Sequence, residues 1–303
     1  MKGFVFAVGC LLLTSCGVKN SNVGTAPPVP SPTLKATKDV APRPGQTVDE
    51  HVKRSRDLFD KDDLDGATVE LNKAIALSPN SAEAFCLRGN VRRVQKNYDG
   101  AIEDFNKALE FSPEYPDAFY FRGLAWVAKE QLDHAMADFS KAILLDPNYA
   151  GPYSDRGMVY YLKGDTAAAL REFEKAIELD PNFTIAYNNR GYMLQLKGQI
   201  DAALRDYEKA IALDPDNAFA YNNRGSAKLV KKDLDGALAD INKSISLNSE
   251  NAEAHCNLGL VQLSRKNESD AKQSFDKCYG LDAKLKAKYE RMAKRIKRNV
   301  ANT

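Results

Sequence analysis

The sequence predicts an all-α solenoid of seven 34-residue helix-turn-helix repeats followed by a C-terminal capping helix, and three observations carry that prediction. The first is the period itself. It runs without insertion or deletion over residues 48–285, giving units 48–81, 82–115, 116–149, 150–183, 184–217, 218–251 and 252–285. The second is a pair of complementary positions. Small residues stand eighth in each unit (Ser55, Gly89, Gly123, Gly157, Gly191, Gly225, Gly259), and bulky ones twenty-fourth (Leu71, Phe105, Phe139, Phe173, Tyr207, Ile241, Phe275). A small residue facing a large one lets two helices pack closely. The third is apolar spacing at three and four residues on both halves of a unit, around a polar turn such as Lys163-Gly164-Asp165 or Lys197-Gly198-Gln199. Units of this length must stack to bury their apolar faces, so function in such an array belongs to an extended surface.

Each unit is punctuated in the same way. Alanine holds the twentieth position throughout (Ala67, Ala101, Ala135, Ala169, Ala203, Ala237, Ala271), where it allows close approach of the paired helices. Pro79, Pro113, Pro147, Pro181 and Pro215 end the first five units, because the residue before a proline is pushed out of the helical region. An aromatic at the fourth position, Gly at the eighth, Ala at the twentieth, Phe or Tyr at the twenty-fourth, Ala at the twenty-seventh and Pro at the thirty-second together resemble the tetratricopeptide repeat. That resemblance covers residues 48–285 and implies a right-handed superhelix whose first helices line a concave groove.

The seventh unit departs from the pattern, with Leu258, Cys278 and Ala283 where Arg, Ala and Pro are usual. Helix is expected to resume near Lys284, burying Tyr289, Met292, Ala293 and Ile296 and exposing Lys286, Lys288, Arg291, Lys294, Arg295, Lys297 and Arg298. Residues 286–303 read as the polar cap an open array needs. The same basic face suits anionic lipid or an envelope polymer.

The N-terminus addresses the chain to a membrane. Lys2 precedes an apolar run over residues 4–13 that is too short to span a bilayer and has the shape of a signal peptide, residues 1–15. Leu13-Thr14-Ser15-Cys16 resembles the bacterial lipobox, which implies an acylated Cys16 as the mature N-terminus. Gly17 rather than Asp after the cysteine implies the outer membrane, facing the periplasm. Residues 16–47 hold Pro27, Pro28, Pro30, Pro32, Pro42 and Pro44 with a single acid, Asp39, and read as a disordered tether. Such a tether reaches roughly 30 Å as a coil and ~95 Å if extended.

Lys and Arg number 43 against 41 Asp and Glu, a net charge of +2 interspersed along the helices, so nothing marks a nucleic-acid surface. Cys86, Cys256 and Cys278 show no spacing of a zinc site. Cys278 reads as a buried thiol and Cys86 and Cys256 as exposed, while a Cys256–Cys278 bridge stays an alternative in an oxidising compartment. His51, His134 and His255 lie in different units, so neither a catalytic triad nor a metal cluster is expected, and no cofactor beyond the lipid on Cys16.

Arginine stands seventh in units one to six (Arg54, Arg88, Arg122, Arg156, Arg190, Arg224) and a carboxylate twenty-third (Glu70, Asp104, Asp138, Glu172, Asp206, Asp240); the seventh unit loses both, with Leu258 and Ser274. That joint loss predicts a recurring Arg–carboxylate pair, between the two helices of a unit or across to the next, the alternative being an arginine ladder for an acidic ligand.

By the family's groove positions, the ligand face comprises Asn90, Arg93, Tyr120, Leu124, Val127, Ser154, Met158, Tyr161, Asn188, Tyr192, Gln195, Phe219, Asn222, Ser226 and Leu229. Tyrosines and amides suit an extended peptide or a helix. The expected function is a non-enzymatic, membrane-anchored adaptor that binds a protein partner of the cell envelope. The alternatives are a pilotin-type lipoprotein assisting a pilus or secretion pore, and a spacer gripping anionic lipid or polymer through its tail. A homodimer stays open.

Overall fold

The computed structural model describes residues 44–301; the predicted signal peptide, Cys16 and the tether up to residue 43 lie outside the described residues. Every regular element described is helical, and the helices come in pairs. Unit one is α1 (Pro44–Asp60) with α2 (Leu64–Leu77), unit two α3 (Ala82–Val94) with α4 (Tyr98–Phe111), and unit three α5 (Pro116–Ala128) with α6 (Leu132–Leu145). Units four to seven pair α7 (Ala150–Leu162) with α8 (Thr166–Leu179), α9 (Thr184–Leu196) with α10 (Ile200–Leu213), α11 (Ala218–Val230) with α12 (Leu234–Leu247), and α13 (Ala252–Ser264) with α14 (Glu268–Leu281). A 3₁₀ turn, Ala283–Leu285, leads into α15 (Lys286–Ala301). The helices group into two compact bodies, α1 to α6 up to Asn148 and α7 to α15 from Tyr149. Pro44 to Thr47, read as tether, belong to α1 instead. Proline is tolerated in the first helical turn, where its missing N–H has no acceptor to lose.

Local chemistry sets the helix ends. Asp63, Asn97, Asp165, Asp233 and Asn267 cap second helices by accepting the backbone N–H three residues on. The residue before last in each inter-helix turn has positive φ in all seven units: Asp62, Lys96, Glu130, Gly164, Gly198, Lys232 and Lys266. Only two of these are the glycine that this conformation favours. Second helices stop at the same place with or without proline. Asp146, Asp180, Asp214, Asn248 and Asp282 each accept the backbone N–H two residues on, a turn that works equally in the proline-free sixth and seventh units.

The core consists of the small and bulky positions meeting. Phe105, Phe139, Phe173, Tyr207 and Ile241 are fully buried, and Phe105, Tyr207 and Ile241 cluster with alanines of their own second helix and of the next unit's first helix. A Cβ placed on Gly123 would stand 2.6 Å from Phe139 Cε1, and one on Gly89 2.7 Å from Phe105 Cε1, so the rings occupy the space a side chain there would need.

The seventh unit is closed differently. Cys256 of α13 and Cys278 of α14 form a disulfide, fully buried beneath Leu285 and Tyr289 of the cap. Cys278 is therefore bonded rather than a free thiol, and Cys256 and Cys86 are buried, not exposed. Their fifth-in-unit position faces a neighbouring helix. In the cap, Tyr289 is buried and Ala293 and Ile296 partly so, but Met292 is exposed, because it lies at the edge of the buried seam, about 60° around the helix from Tyr289.

Candidate binding face and the clamps behind it

The Arg–carboxylate pairs form in five units. Arg88 holds Asp104 through Nε (2.9 Å) and Nη2 (2.6 Å), and Arg122 holds Asp138 at 2.8 and 2.7 Å. In the second body Arg156 engages Glu172, while Arg190–Asp206 and Arg224–Asp240 each bond at 2.8 and 2.7 Å. The fourth-position ring of the same helix lies under each guanidinium: Phe85, Phe119, Tyr153, Tyr187 and Tyr221, with centroids 5.3 to 5.6 Å away. The carboxylate fixes the fork and the ring covers its face, so these arginines are not a ladder for an acidic ligand. The hydrogen bonds that Arg190 and Arg224 donate to Asp206 and Asp240 hold the two guanidinium groups even more firmly in their charged form.

Unit one breaks the rule for a visible reason. His51 fills the ring position and binds Glu70 itself, Nδ1 to Oε2 at 2.6 Å, while Arg54 turns to solvent near Glu50. Hydrogen bonds from Lys73 and then His51 lower the Glu70 carboxyl. In unit seven Ser274 hydrogen-bonds Gln262 where the other units have the pair.

In the first body, Asn90 and Arg93 occupy each other: Asn90 Oδ1 accepts from Arg93 Nε and Nη2, and the guanidinium lies over Phe121. Tyr120 packs against Phe121 and Phe139, with Leu124 and Val127 half-buried on the same helix.

In the second body the structure corrects four of the predicted ligand residues. Ser154 and Met158 are buried. Asn188 and Asn222, 7% and 2% exposed, lie in a chain of amides linking three units: Asn223 Nδ2 donates to Asn188 Oδ1, Asn222 Nδ2 to Asn223 Oδ1, and Asn257 Nδ2 to Asn222 Oδ1. First helices of neighbouring units touch along this seam, and buried amides are tolerated there because they satisfy one another. The repeated Asn-Asn at 188–189 and 222–223, continued by Asn257, is the sequence signal of that ladder.

What remains on this face is a short aromatic strip. The rings of Tyr161 and Tyr192 meet edge-on at 5.9 Å. Burial raises the pKa of both phenols. Gln195 accepts from Tyr207 and donates to Ser226, and Phe219 and Leu229 are half-buried nearby along the array. The sequence reading missed the border of this strip. Glu253 bears electrostatically on both Tyr161 and Tyr192, and it is bonded by Lys288 of the cap at 2.9 Å. Glu253 stands second in its unit, a groove position, so the signal was present; Lys288 could be placed only by the packing of α15.

Models of the tetratricopeptide repeat match residues 89–129, 123–164, 157–198, 184–217, 206–239 and 252–285. The chain belongs to the tetratricopeptide repeat family. Among curated proteins none matches this sequence. Among solved structures, a tetratricopeptide repeat protein from Parabacteroides merdae is 19% identical with a TM-score of 0.60, over 85% of this chain and 100% of that one. Pseudomonas aeruginosa pilF gives 19% and 0.61 over 70% and 96%. A chain of the APC/C hetero-tetramer Cut9-Hcn1 gives 17% and 0.69 over 84% of this chain and 52% of that one, so this tetratricopeptide repeat chain spans about half its length. At these identities the likeness is one of fold. Among the described residues no group of three His, Cys, Asp or Glu could hold a metal, and no helix is long and apolar enough to cross a membrane.

Proposed function

We propose that this tetratricopeptide repeat protein is a non-catalytic adaptor of the bacterial envelope, anchored through an acylated Cys16 and binding a peptide segment or helix of another envelope protein. The observation that carries the binding reading is the Tyr161–Tyr192 pair. Two aromatic side chains on consecutive first helices, packed edge-on against each other and close to the Glu253–Lys288 pair, offer contact area already ordered before a partner arrives. The buried Cys256–Cys278 disulfide supports an exported location, because such bonds persist in oxidising compartments. Residues 16–43 then serve as the tether, which concentrates the array at the membrane surface.

Crosslinking from intact envelopes, parent against Tyr161→Ala/Tyr192→Ala, tests the groove. A discrete partner captured by the parent and lost in the variant supports it; the same partner retained in the variant removes the groove from the account. Mass analysis of the mature N-terminus tests the anchor. Acylated Cys16 is expected, and an unmodified or differently cleaved terminus overturns it. Assistance to a pilus or secretion pore is the same activity with a pore subunit as the captured partner.

A further inference from the structure

The outward face of α15 carries four cations in one line. Arg291, Lys294, Arg295 and Arg298 follow the spacing of zero, three, four and seven residues, which places them on one stripe of a helix, about 10 Å long. All four are exposed, and Tyr289, Ala293 and Ile296 occupy the opposite, packed face. None of the four forms an ion pair with a carboxylate among the described residues; Arg298 reaches only the Lys294 backbone carbonyl. The cations on either side of the stripe differ, since Lys288 is bonded to Glu253 and Lys297 to Glu268. Other exposed helix faces mix their charges, as on α14, where Lys272 bonds Asp276 at 2.7 Å.

Two structural roles leave the stripe unexplained. Cations complement the dipole at a helix C-terminus, but only within the last turn, which accounts for Arg298 and not for Arg291. Solubility of a terminal helix is served by mixed charge, whereas like charges three and four residues apart oppose helix formation. A stripe of unpaired cations pointing away from the packed body suits a flat anionic surface, which can meet all four at once. The stripe carries no aromatic ring on which a nucleobase could stack.

We propose that Arg291, Lys294, Arg295 and Arg298 form a docking surface for anionic phospholipid headgroups, independent of both the tyrosine groove and the acyl anchor. The apolar content of that face is too small for insertion, so binding is electrostatic and at the headgroup level. Salt weakens it over a Debye length of about 10 Å at 0.1 M.

The test uses the full chain carrying Cys16→Ser, so that no acyl group contributes, in co-sedimentation with pure phosphatidylcholine vesicles and with vesicles containing 30% (about one third) phosphatidylglycerol. The ratio between the two vesicle types is the readout, which cancels apolar insertion by residues 1–16. Each neutralised cation is expected to lower that ratio about fivefold, and the Arg291→Gln/Lys294→Gln/Arg295→Gln/Arg298→Gln variant to bring it near one. Helical content and thermal midpoint of the variant should not fall below the parent's, because the four side chains make no ion pair and their mutual repulsion is removed. Equal binding to both vesicle types by the parent, or an unchanged ratio in the variant, overturns the proposal. Four-cation-dependent binding to soluble polyphosphate without vesicle binding overturns it too, in favour of a polymer ligand.

Discussion

Units six and seven have the same two helices, the same turn and the same alanine at the twentieth position, yet their helices are held together by different chemistry. In unit six Arg224 and Lys228 both reach Asp240, and Tyr221 covers the guanidinium. In unit seven the three equivalent positions are Leu258, Gln262 and Ser274, and the Cys256–Cys278 bond joins the helices instead. The backbone is indifferent to the exchange. A repeat can thus join its helices by an ion pair at positions seven and twenty-three or by a covalent link at positions five and twenty-seven, where unit six has Asn222 and Ser244, while small-against-bulky packing sets the geometry of the pair.

The largest expected effect breaks the covalent clamp. Cys256→Ser/Cys278→Ser should cost about 3 kcal/mol by the loop-closure argument, read as a lower denaturant midpoint, with the first loss of hydrogen-exchange protection in α13 to α15. No change in midpoint on substitution or reduction would mean the bond adds nothing to the packing.

Next is the ionic clamp. Asp240→Ala leaves Arg224 and Lys228 without their carboxylate and should cost about 2 kcal/mol. Arg224→Leu/Lys228→Gln/Asp240→Ser, which copies unit seven, should cost less than about 1 kcal/mol, because no charge is left unpaired. A triple variant no better than Asp240→Ala would refute the interchangeable clamp.

Alkaline pH probes the buried tyrosines around these clamps. Burial raises the pKa of Tyr207 and Tyr289 well above the usual phenol value, with the charges near each adding to it. A raised folded-state value means the contribution is complete below the unfolded pKa of about 10 and is lost as pH rises past it. Between pH 9 and 10.5 each should cost roughly 0.8 kcal/mol, with the tyrosinate absorbance of these two appearing only on unfolding. Tyr289→Phe should remove the share belonging to the cap.

The smallest effect concerns the turns. Glu130→Gly relieves a side chain held at φ 59° and should gain up to about 1 kcal/mol, seen as a higher thermal midpoint. The same substitution at an ordinary helical position would destabilise by a similar amount.

Much of this molecule was legible because a repeat states its rules seven times. Period, packing positions and the Arg–carboxylate pairs needed only counting, and five pairs stand where the joint loss in unit seven said they should. Unit one escaped because His51 is chemically able to take the carboxylate, which a position rule does not consider. The groove was legible as a face but not residue by residue. Asn188 and Asn222 look like ligand amides in sequence, and they become interior only when neighbouring first helices close on them.

The sequence by itself determined the all-helical repeat, its register, its turn chemistry and which positions are small or bulky, because these depend on residues within one unit. Only the tertiary structure decided that Cys256 and Cys278 meet, that Lys288 reaches Glu253, and which side of α15 turns its cations outward. The disulfide depends on which side chains the two helices of unit seven bring face to face, and the placing of Lys288 and of the α15 cations on how the cap packs against that unit; a repeat position alone fixes neither.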